Sequence, residues 1–177
     1  MESLLDNLLA GNRRFVQEGW DPMDASLPAA PAKKVAIVAC MDTRHAVERV
    51  LGLEHGDAKI IRNAGNVLDD GTLRSLIVAV HAMGVEHIVV MGHTKCGMTQ
   101  IGGKDFPVAH HIAESTGVAL HEVMRPDFQR WLGAFEDVEA NVQRSVNLVR
   151  NHPYMPKDIE VFGLLYDNDA GTVRQVS

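Results

Sequence analysis

Val35-Ala36-Ile37-Val38-Ala39-Cys40-Met41-Asp42-Thr43-Arg44 is the stretch whose reading decides the fold. Its first six residues form an unbroken apolar run. Such a run marks a strand buried on both faces, as in a parallel sheet. Polar and reactive residues begin where the run stops. In an open α/β sheet, ligands bind beyond the carboxyl ends of the strands.

The pattern repeats on both sides of this stretch. Ala58-Lys59-Ile60-Ile61-Arg62 reads as a second strand, ending in Asn63-Ala64-Gly65-Asn66. His87-Ile88-Val89-Val90-Met91 reads as a third and leads to His93-Thr94-Lys95-Cys96-Gly97. Ile159-Glu160-Val161-Phe162-Gly163-Leu164-Leu165-Tyr166 is a fourth. Asp169-Ala170-Gly171 then turns the chain into Thr172-Val173-Arg174-Gln175-Val176, an expected antiparallel edge strand. Helical spacing is expected over 46–52, 71–83 and 135–150, the last with Phe135, Val138, Val142, Val146 and Val149 on one side. Residues 101–131 are less regular, with Gly102, Gly103, Pro107, Gly117 and Pro126. Strands alternating with helices predict an α/β fold, a four-stranded mostly parallel sheet with an antiparallel edge strand, flanked by helices.

An N-terminal helical arm precedes the first strand. Leu4, Leu5, Leu8, Leu9, Phe15 and Val16 recur at helical spacing and stop near Gly19. Pro22, Pro28 and Pro31 then mark a loop. We read residues 1–34 as arm and loop and 35–177 as the α/β domain, one domain overall. The arm's stripe can fold back on its own domain or cover a neighbour's.

Composition narrows the function classes. The chain has 177 residues, enough for one substantial core. A net charge of -6 without a basic stripe argues against nucleic acid as a partner. No apolar run approaches the ~20 residues of a membrane span. The start, Met1-Glu2-Ser3-Leu4-Leu5-Asp6, lacks the basic flank of a signal peptide, so a cytoplasmic protein is expected. Two cysteines in a reducing compartment serve metal or catalysis more often than a disulfide.

Those cysteines are Cys40 and Cys96. Two thiolates and the imidazole of His93 make a three-ligand set for one Zn2+ per chain, which leaves a fourth tetrahedral position for water. Side chains two apart on an extended segment point the same way, so Asp42 stays within reach of a metal on Cys40. Arg44 is placed to hold Asp42 in a bidentate pair, which keeps the carboxylate ionised and accepting. His93 and Cys96 lie three apart, which suits a helical turn or a tight loop. Gly92 and Gly97 flank them and would allow a close bend. Two buried inert thiols are the bland alternative.

The three segments at Cys40–Arg44, Arg62–Asn66 and His93–Gly97 resemble, in order and separation, the signature segments of the β-class carbonic anhydrases. The likeness runs from about Lys34 to Arg174 and is greatest to the short subclass with Cys-Met-Asp-x-Arg and His-Thr-x-Cys-Gly-Met. It implies Cys40, His93 and Cys96 as zinc ligands and Asp42 with Arg44 as the catalytic dyad. The implied substrates are carbon dioxide and bicarbonate, interconverted by a zinc-bound hydroxide. It also implies a homodimer or larger even oligomer, with the N-terminal helix wrapping a neighbour and the cleft at the interface. Backbone near Gly97 would help orient substrate. In some members the dyad aspartate swings onto the zinc. One branch has a regulatory bicarbonate pocket built from a tryptophan, an arginine and a tyrosine. Arg62 and Tyr166 match it here, while Ile37 stands at the tryptophan's place.

Two other functions fit the same residues. Hydrolases of carbonyl sulfide or carbon disulfide resemble this subclass too, and Asn151-His152-Pro153 with Pro156-Lys157-Asp158 is similar to a stretch in them. A non-enzymatic zinc scaffold or thiol redox sensor would need Cys40 and Cys96 joined or the zinc closed by a fourth ligand. His110, His111 and His121 read as solvated loop histidines, and His45 as the better proton-shuttle candidate. Asp167, Asn168, Asp169 and Gly171 read as a hairpin turn rather than a calcium loop. Gly102-Gly103-Lys104 fails as a phosphate loop, because Met98 and Asp105 break the pattern. The eight methionines read as core filler.

Overall fold

The computed structural model describes residues 3–101 and 106–177. Its sheet has five strands: β1 (Val35–Cys40), β2 (Ala58–Asn63), β3 (His87–His93), β4 (Glu160–Tyr166) and β5 (Val173–Gln175). Their spatial order is β2-β1-β3-β4-β5. The first four run parallel and β5 pairs antiparallel with β4. The helices are α1 (Leu4–Glu18), α2 (Val47–Leu51), α3 (Asp70–Met83), α4 (Pro107–Thr116), α5 (Leu120–Val123), α6 (Pro126–Leu132) and α7 (Val138–Arg150).

The order places a topological switch between β1 and β3. The chain leaves β1 toward one edge and leaves β3 toward the other. A crevice opens between the two departing loops, where ligands bind in open α/β sheets. Register aligns the strands at this edge: Ala39 pairs with Met91, and His93 with Tyr166.

Alternation along the strands splits the core in two. Ala36, Val38, Ile88 and Val90 face Leu76 and Ala79 of α3 and Val142, Val146 and Val149 of α7. Ile37, Ala39 and Met91 face Val47 of α2 on the other side. The helices begin where side chains can cap them. The Asp69 carboxylate accepts from Thr72 N at 2.7 Å, and the Asp137 carboxylate from Ala140 N at 2.7 Å. Because Asp137 caps α7, that helix starts at Val138. Phe135 lies outside it and packs with Cys40, Cys96 and Met98.

Two expectations change. Residues 107–132 are not irregular: α4, α5 and α6 lie there, each short and separated by Gly117 or by the segment before Pro126. Short helices between glycine and proline carry too few turns for a clear period. The rejected phosphate loop, Gly102 to Asp105, lies outside the described residues. Methionines are only partly filler: Met91, Met98 and Met155 are buried, while Met23 and Met41 are exposed.

Helix α1 buries none of its residues. A capping box fixes its start: Ser3 Oγ accepts from Asp6 N at 3.1 Å, and Ser3 N donates back to Asp6 at 3.2 Å. Leu4, Leu5 and Leu8 are all more than 60% exposed (76%, 64% and 62%), so the stripe finds no cover in its own chain.

Gly92 sets how closely α7 approaches β3. A Cβ there would lie 2.7 Å from Val142 Cγ2 and 2.8 Å from Val138 Cγ1. Gly92→Ala must push the helix away, at a cost of about 1–3 kcal/mol. The expected outcome is a fall in Tm of roughly 2–12 °C in a thermal melt. An unchanged Tm would mean that α7 does not pack this tightly.

Candidate metal centre

Cys40 ends β1, His93 ends β3, and Cys96 follows on a tight loop. Their ligand atoms all lie within 4.8 Å of one another, and all three residues are buried. Among the described residues this is the one such group of metal-binding side chains. Both cysteines are free thiols.

The loop from His93 to Cys96 turns through Lys95, whose φ is 56°. A left-handed residue other than glycine costs roughly 1–2 kcal/mol, so the loop is held there by its surroundings. Gly92 and Gly97 were expected to supply the bend, but neither has positive φ. Gly65 does, at 73°, and a Cβ on it would meet Met98 and Phe135 at 2.7 Å. That close approach brings Gly65 N to 3.4 Å from Cys40 Sγ, as a donor to the sulfur.

The ligand set fits zinc on its own chemistry. His93 Nδ1 lies 2.9 Å from the Thr94 carbonyl, which can only accept, so Nδ1 carries the proton. Nε2 is then a bare lone pair. It is buried and has no hydrogen-bond partner. An orphaned buried imidazole nitrogen beside two thiols is a donor set that a zinc ion would complete. The two sulfurs interact as well. A hydrogen bond from Cys96 lowers the pKa of Cys40, and the same bond, together with burial, holds the proton on Cys96.

Asp42 and Arg44 form the expected fork. Arg44 Nε donates to Asp42 Oδ1 at 2.9 Å and Nη2 to Oδ2 at 2.6 Å. Arg44 N adds a bond to Oδ1 at 2.9 Å, and Nη2 also reaches the Lys95 carbonyl at 3.2 Å. These bonds hold the Asp42 carboxyl well below the usual carboxylate range. Asp42 Oδ2 sits 3.9 Å from His93 Nε2, beside the cluster and committed to Arg44.

A cavity of about 560 Å³ opens onto the group. Its wall combines Asp42 and Arg44 with Met41, Ala64, Gly97, Met98 and Ile101. One polar dyad thus faces an otherwise mostly apolar chamber.

Arg62 is not free for an anion pocket. Its Nε donates to the Cys40 carbonyl at 3.0 Å and its Nη2 to the Asp42 carbonyl at 2.6 Å. Tyr166 packs edge-on against His45 with ring centroids 5.0 Å apart. With Ile37 in the core, the three positions form no pocket. His45 is also not a solvent-facing shuttle: it is 2% exposed and its Nε2 is bonded to Asn168. Burial lowers its pKa. His110, His111 and His121 are exposed, on helices rather than loops. The turn at Asp167 is confirmed, with its carboxylate accepting from Asp169 N and Ala170 N at 2.8 and 3.2 Å.

Sequence reading missed two supports. Asn141 of α7 is 1% exposed and donates to the Gly65 carbonyl at 3.1 Å, tying the helix to the site loop. Asn168 was read only as part of a turn. Its signal lies in topology: His93 pairs with Tyr166, so a residue just past β4 falls beside the ligand loop.

The fold, the three-ligand cluster and the paired carboxylate define an enzyme site of the β-carbonic anhydrase type. The carbonic anhydrase family model matches residues 35–173, and the chain belongs to that family. It is 33% identical to beta-carbonic anhydrase 1 of Mycobacterium tuberculosis over 99% of both chains. The carbonic anhydrase structure from Streptococcus mutans superposes with a TM-score of 0.83 at 35% identity, over 100% of this chain and 99% of that one. A carbon disulfide hydrolase of Acidianus is 30% identical, over 81% of this chain and 77% of its own.

The depressed Asp42 pKa has a sign that can be checked. The unfolded chain binds this proton more readily than the folded one. The ion pair therefore contributes fully above the ordinary value of 3.8, and the contribution fades as pH falls through the lower folded value. Carboxyl NMR should place the Asp42 midpoint below 3.8, and Arg44→Met should raise it. A midpoint that does not move with Arg44 would remove the fork as the cause.

Proposed function

We propose that this chain is a zinc enzyme that hydrates carbon dioxide reversibly to bicarbonate. The observation that carries the reading is the convergence of Cys40, His93 and Cys96 on one point, at a cavity that Asp42 also lines. Relatives named as carbonic anhydrases over nearly the whole chain support it.

Cys40 and Cys96 as thiolates and His93 through Nε2 would hold the ion. A zinc ion bound there lowers the pKa of its water to about 7, which supplies a nucleophile at neutral pH. Asp42 would accept a hydrogen bond from a water held beside it and so turn that water's lone pair into the cavity. It can only accept, because Arg44 keeps it ionised and fixes both of its oxygens. The apolar wall of Met41, Ala64, Met98 and Ile101 receives a small linear molecule without binding it tightly. Water and carbon dioxide give bicarbonate and one proton, and the proton leaves to buffer.

A second reading has a specific support. The carbon disulfide hydrolase relatives and the apolar wall suit a sulfur-bearing linear substrate equally well. The free thiols and the intact dyad weigh against a redox protein.

The test is direct. Purified protein should hold one zinc per chain by metal analysis and accelerate carbon dioxide hydration between pH 6 and 9. Asp42→Asn should keep the zinc and lose roughly 10²–10⁴-fold in turnover. Zinc-loaded protein inert toward carbon dioxide, yet releasing hydrogen sulfide from carbonyl sulfide or carbon disulfide, would transfer the assignment to the second reading.

We also propose a cytoplasmic homodimer or larger even assembly, with residues 1–34 as an arm that covers a neighbour. The uncovered stripe of α1 supports the arm's role. Among the described residues no helix is long and apolar enough to cross a membrane. Deleting residues 1–34 should lower the mass seen in sedimentation. An unchanged assembly would leave the arm without that role.

A further inference from the structure

Asn168 and His45 come from opposite ends of the domain and meet directly behind His93. Asn168 lies in the β4–β5 turn and His45 in the loop after β1. His45 Nε2 lies 2.7 Å from Asn168 Oδ1. An amide oxygen only accepts, so this imidazole nitrogen donates. That bond fixes which way the amide faces. Its Nδ2 is left pointing at the Thr94 carbonyl, at 2.6 Å. The same carbonyl accepts the Nδ1 proton of His93 at 2.9 Å. Asn168 N also donates to Thr94 Oγ1 at 3.0 Å, so both its backbone and its side chain grip this residue.

The rings are packed as well as bonded. His45 lies edge-on to His93 with centroids 4.1 Å apart, and it is 2% exposed. Breaking its bond to Asn168 would strand a buried donor, a cost that keeps the arrangement closed. A flipped amide would set Oδ1 against the Thr94 oxygen and Nδ2 against the His45 proton. Only this orientation gives both the Thr94 carbonyl and the His45 nitrogen a partner, and it also sets Asn168 Nδ2 3.1 Å from His93 Nδ1.

We propose that Asn168 and His45 are positioning residues for the metal ligand His93. Through the Thr94 carbonyl they lock its tautomer and ring angle, so that Nε2 faces Cys40 and Cys96 as a ready lone pair. The proposal rests on the zinc reading above. Partners of this kind, one bond beyond a ligand, govern metal affinity by roughly 10–100-fold.

The experiment compares the parent with Asn168→Ala, the near-isosteric Asn168→Asp, and His45→Phe, which keeps a ring between His93 and Tyr166. Zinc affinity is read by competition with a chromogenic chelator. The ligand field is read from the visible bands of the Co2+-loaded protein. Each variant should bind zinc roughly 10–100-fold more weakly and shift the cobalt bands, with the zinc-free Tm close to the parent's. Asn168→Asp cannot donate to Thr94, so it should behave like Asn168→Ala. The double variant should lose no more than the worse single one, because both act in one chain of bonds. Variants within twofold of the parent, with unchanged cobalt bands, overturn the proposal and leave the zinc reading intact. Weakened binding seen only where the zinc-free fold also collapses overturns it too, by assigning a purely structural role. A parent that holds no zinc overturns both.

Discussion

The parallel pairing of β1 with β3 is the constraint on which the rest depends. Each strand is central, and neither carries an exposed edge. Their register sets Ala39 against Met91, so both strands end at the same edge of the sheet. Cys40 and His93 inherit their proximity from that register alone. A slip of one residue would turn every side chain of β1 to the other face. Cys40 would leave the crevice, and Ile37 and Val38 would exchange cores. Hydrophobic burial thus fixes the position of a candidate metal ligand.

Strand ends deliver side chains to the right place but do not orient them. Orientation comes from polar groups reaching in from elsewhere. Arg62, from β2, holds the carbonyls of Cys40 and Asp42. Asn141, from α7, holds the carbonyl of Gly65, whose own N–H points at the Cys40 sulfur. Arg44 binds both Asp42 and the Lys95 carbonyl, joining the β1 loop to the β3 loop. These bonds come from distant parts of the chain. Together they hold Lys95 in left-handed backbone that its own side chain disfavours.

The division between legible and hidden follows the same line. Strands β1 to β4 and the ligands at their ends were readable because burial on both faces leaves a continuous apolar signature. The Asp42–Arg44 fork was readable because its two members are neighbours in sequence. Arg62 looked like an ordinary strand end, since its partners lie 20 and 22 residues away. The bend at Lys95 was hidden because glycines flanked it, and glycine is the usual carrier of such backbone. His45 looked like a mobile relay because it follows Arg44, yet the fold buries it. The small helices before Leu132 were hidden by their length. Contacts set by topology have no local pattern to read.

The site's scaffolding also separates it from zinc that holds a fold together. In a structural zinc domain the ligands come from flexible segments, and binding energy is folding energy. Here two ligands sit at the ends of central strands, and the third lies three residues beyond one of them. Their backbones are fixed by the sheet ladder and by the bonds of Arg62, Arg44 and Gly65. The ordering cost of the ligands is therefore met by the core, before any ion arrives. Binding of the proposed zinc would then serve chemistry rather than folding. A cleft so prepared favours a fixed nucleophile and a fixed acceptor. Under the proposed function, discrimination among small linear substrates would fall to the wall opposite, which Met41, Met98 and Ile101 line.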